Sequence, residues 1–132
     1  MAREIETKCI HLEEEENSIN HYGAISYPIY QSATYAHPGV GQSTGYDYSR
    51  LQNPTREHLE KTVASLENGI DALAFSSGMA AITLMMELFK PGDHLIVDAD
   101  LYGGSIRLFN HVSEKNGIEF SSVDSVSYTH LT

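Results

Sequence analysis

The sequence predicts an α/β protein built on a mainly parallel sheet with helices on both faces, and three observations predict it. Short apolar runs bounded by turn residues recur at Ala72–Phe75, His94–Asp98 and Ile118–Val123. Stretches of helical period separate them, one opened by Ser76-Ser77-Gly78 and running to about Phe89, the other from about Ser105 to Lys115. Polar or glycine-bearing loops follow each apolar run. Strands that alternate with helical crossovers pair in parallel and are covered on both faces.

The elements follow in order. Residues 1–45 mix polar residues, tyrosines and turn formers, as in Ile25-Ser26-Tyr27-Pro28-Ile29-Tyr30 and His37-Pro38-Gly39-Val40-Gly41, and no helical period is sustained. This stretch reads as an extended arm with aromatic anchors, suited to lie on a partner subunit or on sequence beyond this chain. Asn53-Pro54-Thr55-Arg56-Glu57 is a helix start, with Asn53 as N-cap and Pro54 in the first helical position. Leu59, Val63 and Leu66 keep the helical spacing, and Asn68-Gly69 stops it. In the next helix Ala81, Leu84, Met85 and Leu88 supply the apolar face; Lys90-Pro91-Gly92-Asp93 turns the chain into the second strand. Ile106, Phe109 and Val112 line the third helix, which Asn116-Gly117 ends. Two regions result: an N-terminal arm over 1–45 and a partial large domain over 46–132. The tail Ser125–Thr132 does not continue the pattern with a helix and reads as a truncated or foreign end.

Composition narrows the function classes. There are 18 acidic residues against 8 basic ones, a formal net charge of −10, which opposes the basic footprint of nucleic-acid binding. The run Glu13-Glu14-Glu15-Glu16 reads as a solvated stretch. The one cysteine, Cys9, allows no internal disulfide and fits a reducing, cytoplasmic setting. No secretory signal opens the chain, and nowhere do about 18 apolar residues run together as a membrane span needs. The 7 histidines make no H-x-x-x-H pair, so no metal site is expected.

Three loops could carry chemistry. In Phe75-Ser76-Ser77-Gly78-Met79-Ala80-Ala81 a strand enters and a helix leaves, and the first amides of that helix have no internal partner. They form an anion site, with Gly78 allowing close approach; the alternative is a tight turn that needs a glycine and binds nothing. No Walker lysine and no dinucleotide fingerprint accompany it. In Tyr46-Asp47-Tyr48-Ser49-Arg50, Arg50 and a phenol suit a phosphate dianion, or Arg50 is a surface residue of a polar loop. In Asp100-Leu101-Tyr102-Gly103-Gly104, Tyr102 could lay its ring on a planar ligand, or stand exposed on a glycine-rich turn.

Taken together, Tyr48-Ser49-Arg50, Asn53-Pro54-Thr55, Ser76-Ser77-Gly78-Met79-Ala80-Ala81 and Leu101-Tyr102-Gly103-Gly104 closely resemble the Cys/Met-metabolism family of pyridoxal-phosphate enzymes. The arm segment Pro28–Tyr35 is similar too, and the resemblance extends to about Asp124. It implies an N-terminal piece of a fold-type I transferase: the arm plus the first part of the large domain. It also implies roles. The amides of Gly78 and Met79 bind the cofactor phosphate; Tyr102 stacks on the pyridine ring; Tyr48 and Arg50 reach the phosphate of a neighbouring subunit's cofactor in a homotetramer, a dimer of dimers. Tyr102 and Tyr48 are also the candidates for catalytic contact.

The family's Schiff-base lysine stands in a Ser-x-Thr-Lys setting, which none of Lys8, Lys61, Lys90 or Lys115 occupies. The chain alone is therefore expected to be inactive. The activity implied is transsulfuration: γ-replacement or γ-elimination on homoserine esters or cystathionine, of the cystathionine γ-synthase or γ-lyase kind. Gly104 stands where methionine γ-lyases typically carry cysteine, and Arg107-Leu108-Phe109 is more similar to cystathionine enzymes than to sulfhydrylases. Methionine γ-lyase and O-acetylhomoserine sulfhydrylase are the alternatives within the family; a noncatalytic fragment or phosphate-binding module is the alternative outside it.

Overall fold

The computed structural model describes residues 4–11, 22 and 24–126. The Glu13–Glu16 run and residues 127–132 of the tail lie outside the described residues. The chain divides into two compact units, Met1–Ala74 and Phe75–Thr132.

In the first unit a short helix α1 (Ile5–Lys8) precedes the long irregular arm, and α2 (Pro54–Leu66) is its one extended helix among the described residues. α2 starts where the sequence places it. Asn53 is extended at φ −145°, and its side-chain oxygen accepts from the amides of Thr55 at 2.9 Å and Arg56 at 3.4 Å. Pro54 at the first position is buried. The helix closes through Asn68, left-handed at φ 54°, while the Gly69 amide returns to the Ala64 carbonyl at 2.8 Å.

The arm is tied to this helix start. The Tyr30 amide donates to Thr55 Oγ1 at 2.8 Å, and Asn53 Nδ2 donates to the Tyr30 carbonyl at 3.1 Å. Thr34 and Tyr48 form an isolated antiparallel bridge, with the Ser49 amide on the Ala33 carbonyl at 2.9 Å. Tyr27 stacks on His58 of α2, ring centroids 3.9 Å apart.

The second unit is a strand–helix–strand crossover preceded by α3 (Gly78–Met86). β1 (His94–Asp98) and β2 (Glu119–Val123) pair in parallel, with His94 opposite Glu119 and Asp98 opposite Val123. Between them α4 (Gly103–Leu108) runs on as a π turn, Phe109–Ser113, and a 3-10 turn, Glu114–Asn116. Phe109 stacks on Phe120 of β2, centroids 4.7 Å apart, which seats the crossover on the sheet. Ile118, Ser113 and Met86 are buried. Gly117 ends the crossover in the left-handed region at φ 82°, against Pro91. Among the described residues no helix is long and apolar enough to cross a membrane.

The fold is thus α/β with a small parallel sheet, and several boundaries differ from the sequence expectation, β2 starting at Glu119 and the third helix leaving α geometry after Leu108 among them. Ala72–Phe75 is not a strand: the sheet has two strands, and side chains take the free amides instead, Asp71 accepting from Ala72 and Glu60 from Ala74. α3 stops at Met86 and not near Phe89. The amides of Glu87, Leu88 and Phe89 bond three residues back, a tightened last turn ahead of Pro91. The third helix begins at Gly103, two residues before the expected Ser105.

Candidate functional site

Each unit carries some of the residues singled out by sequence, Tyr48 and Arg50 in the first and Gly78, Met79 and Tyr102 in the second. In the second unit the strand-to-helix turn is capped by Ser77, whose hydroxyl accepts from the Ala80 amide at 3.1 Å. The Ala80 and Ala81 amides also reach the Ser77 carbonyl, at 3.1 and 3.3 Å. The amides of Gly78 and Met79 donate to no group among the described residues. A Cβ added at Gly78 would meet nothing within 4 Å, so the space beside these two donors is open. Two unpaired amides stand at the head of a nine-residue helix, with the positive end of its dipole behind them and a bare backbone in front, an arrangement that can accept an anion.

Tyr102 is the N-cap residue of α4, in the loop leaving the carboxyl end of β1. It is 73% exposed, and its carbonyl accepts from the Ser105 amide at 2.8 Å. Asp98, the last residue of β1, holds the loop by accepting from the Asp100 amide at 2.7 Å. The Cδ1–Cε1 edge of the Tyr102 ring and the thioether of Met79 both crowd Gly104, while the Ser105 hydroxyl lies 4.0 Å from the Met79 sulfur. Side chains of both site loops therefore meet within this unit.

In the first unit the Arg50 guanidinium lies over the Tyr48 ring, 4.8 Å from its centroid, a cation–π contact that holds the pair together. Both are exposed, so the guanidinium donors face solvent and can take an anion. The loop that carries them is fixed from behind. Arg56 Nη1 donates to the Ser49 carbonyl at 3.2 Å and the guanidinium also reaches the Leu51 carbonyl. Below it, Tyr46 donates to Glu57, and Lys61 pairs with Glu57 at 2.7 Å. The hydrogen bonds from Lys61 and Tyr46 hold the Glu57 carboxyl below the usual carboxylate range. Burial, and then the bond to Glu57, pushes the Tyr46 phenol up.

Sequence reasoning placed Gly78, Met79, Tyr102, Tyr48 and Arg50 but missed three supporting residues. The Ser77 cap had a signal, a serine before a helix start. The bracing by Arg56 and the Ser105–Met79 contact had none, since neither spacing nor residue type points to them. Among the described residues no cluster of three or more metal-ligating side chains is present.

An α/β unit whose strand-to-helix turn leaves two amides open, beside a loop that carries an exposed tyrosine, is compatible with a phosphate-bearing cofactor. The comparisons make the class specific: the model of the Cys/Met metabolism PLP-dependent enzymes matches residues 6–132, and the chain belongs to that family. It is 50% identical over 120 residues to a cystathionine gamma-synthase/O-acetylhomoserine (thiol)-lyase of Bacillus subtilis, covering 91% of this chain and 32% of the relative. It is 47% identical over 121 residues to a cystathionine beta-lyase of Coxiella burnetii, covering 91% of this chain and 31% of the relative. Among solved structures, a cystathionine gamma synthase of Xanthomonas oryzae pv. oryzae, crystallised with aminoacrylate and cysteine, superposes with a TM-score of 0.85 at 34% identity, over 99% of this chain and 34% of that one. The chain spans about a third of the length of these relatives. The family depends on pyridoxal phosphate, and the open amides of Gly78 and Met79 fit its phosphate group.

Proposed function

We propose that this chain supplies the phosphate seat and ring platform of a transsulfuration enzyme acting on an amino acid, by γ-replacement or γ-elimination on homoserine esters or cystathionine. The observation that carries the reading is the pair of unpaired amides at Gly78 and Met79, in a chain whose relatives at 47–50% identity bear cystathionine-enzyme names. Pyridoxal phosphate, when bound, supplies an electron sink for charge developing at the substrate α-carbon. Gly78 and Met79 donate to the phosphate oxygens. Tyr102 offers its exposed ring to the pyridine, orienting it and shielding it from water. Arg50 and Tyr48 serve the cofactor of a neighbouring subunit in a homotetramer: Arg50 neutralises phosphate charge, and the Tyr48 phenol is placed to hold or move a proton.

The four lysines of this chain do not stand in the family's cofactor-anchoring setting, so the chain alone is expected to turn nothing over. In a protein of the relatives' length, cystathionine as substrate separates the chemistries. γ-Elimination releases a four-carbon α-keto acid. β-Elimination, which the Coxiella relative's name brings into play, releases a three-carbon one. The four-carbon product, or cystathionine formed from a homoserine ester and cysteine, supports the γ reading; the three-carbon product alone rejects it.

A further inference from the structure

We infer that Met79 and Gly104 seat the ring of Tyr102, so that the residue whose amide opens the phosphate turn also fixes the aromatic platform through its side chain. This rests on the reading of Gly78, Met79 and Tyr102 given above.

Gly104 carries the first observation. A Cβ there would stand 2.6 Å from Tyr102 Cε1, 3.1 Å from Tyr102 Cδ1 and 2.9 Å from Met79 Sδ. To admit a Cβ at the two shorter approaches, the ring edge or the thioether would have to shift. The ring edge and the thioether therefore share the space over a bare backbone, in the range of a sulfur–aromatic contact, about 5 Å.

The neighbouring glycine supplies a control. A Cβ at Gly103 would meet nothing within 4 Å, so only the second of the two consecutive glycines lies under the ring edge and the thioether. Gly104 also lies inside α4, where alanine is the better helix former. The Tyr102 ring edge and the Met79 thioether occupy the space a side chain there would enter.

Ser105 anchors the arrangement from behind. It is 4% exposed, and its hydroxyl donates to the Met79 sulfur at 4.0 Å, which fixes where the thioether can lie. Tyr102 is thus clamped along one ring edge while 73% of the residue stays exposed. A ring held before a ligand arrives loses less rotational freedom on binding, which is preorganisation. Met79 and Gly104 are in this sense positioning residues: they act on a planar ligand through Tyr102.

The test is methyl NMR on the full chain, labelled with 13C in its 4 methionine methyls and measured without cofactor or phosphate. Loss of one resonance in Met79→Leu assigns the Met79 methyl. The expected result is a Met79 resonance displaced by the Tyr102 ring current, which Tyr102→Leu returns to the position of a methyl with no aromatic neighbour. Gly104→Ala is expected to move the same resonance and to lower the melting temperature, opposite in sign to the effect of helix propensity. A Met79 methyl indifferent to Tyr102→Leu overturns the inference. So does a Gly104→Ala chain that melts higher with its Met79 resonance unmoved. If Gly104→Ala does not fold, the Tyr102→Leu comparison decides. Loss of the seat while the Gly78 amide still responds to phosphate ends this inference alone. An intact seat with amides indifferent to phosphate ends the functional reading alone.

Discussion

The two units present their site groups by different means. In Met1–Ala74 the candidate groups are side chains, Tyr48 and Arg50, on a loop held by side-chain hydrogen bonds from Asn53 and Arg56 to Ser49. In Phe75–Thr132 they are backbone amides and one ring, set by a helix start and a parallel strand pair in fixed register. A site built from backbone survives most substitutions because every residue but proline brings an amide. A site built from side chains depends on a few polar partners, any of which one mutation removes. The first unit is therefore the fragile half, and substitution should show it.

The largest effect is expected at Asn53, which caps α2 with its oxygen and ties down the Tyr30 carbonyl with its nitrogen. Asn53→Ala should cost about 2 kcal/mol in urea unfolding, a cap at the upper end of the usual range because the arm is released as well. A loss no larger than that of Ser77→Ala would break the comparison. At Gly117, φ 82° with Pro91 close by makes Gly117→Ala cost about 1.5 kcal/mol, read as a lowered melting temperature of the crossover. Ser77→Ala removes the cap on the Ala80 amide alone and should cost about 1 kcal/mol. Faster hydrogen exchange at Ala80 would accompany it, with Gly78 and Met79 unaffected.

The smallest effect is electrostatic and confined to the first unit. Because the Glu57 carboxyl is held down in the folded chain, its contribution is complete above the unfolded value, about 4.3, and is lost as pH falls toward the folded one. Glu57→Gln should remove that acid-side loss, about 0.5 kcal/mol for so exposed a pair. The Tyr46 phenol is shifted the other way. Its contribution is complete below about pH 10 and is lost as pH rises toward the raised folded value. Tyr46→Phe should flatten the alkaline limb of a stability–pH curve; an unchanged limb would remove Tyr46 from the bracing.

Elements whose ends are marked chemically were legible in the sequence. His94–Asp98 was read to the residue because Gly92-Asp93 precedes it and a polar loop follows, and α2 was read at its start because Asn53-Pro54 permits little else. Ala72–Phe75 misled because an apolar run shows the capacity to pair but not whether a neighbour is there. The start of α4 was hidden because glycines argue for a loop, and the approach of Tyr102 and Met79 to Gly104 is something only coordinates bring together. The π and 3-10 turns after Leu108 left no trace in the spacing of Ile106, Phe109 and Val112, which suits an α-helix equally well. At the site, the residue types and their order were visible. The amides of Gly78 and Met79 were named from the resemblance alone; that the Ser77 cap takes the Ala80 amide and leaves them open was not visible, because that depends on one rotamer.

The central claim is that the head of α3 is an open phosphate seat. Titrating the 15N-labelled chain with pyridoxamine phosphate, which has no aldehyde to react with lysines, tests it most directly. The amide resonances of Gly78 and Met79 should move furthest and saturate, with Ala80, already bonded to Ser77, moving little. Gly78 and Met79 amides that stay in place while the ligand binds elsewhere, or at no site, would contradict the account.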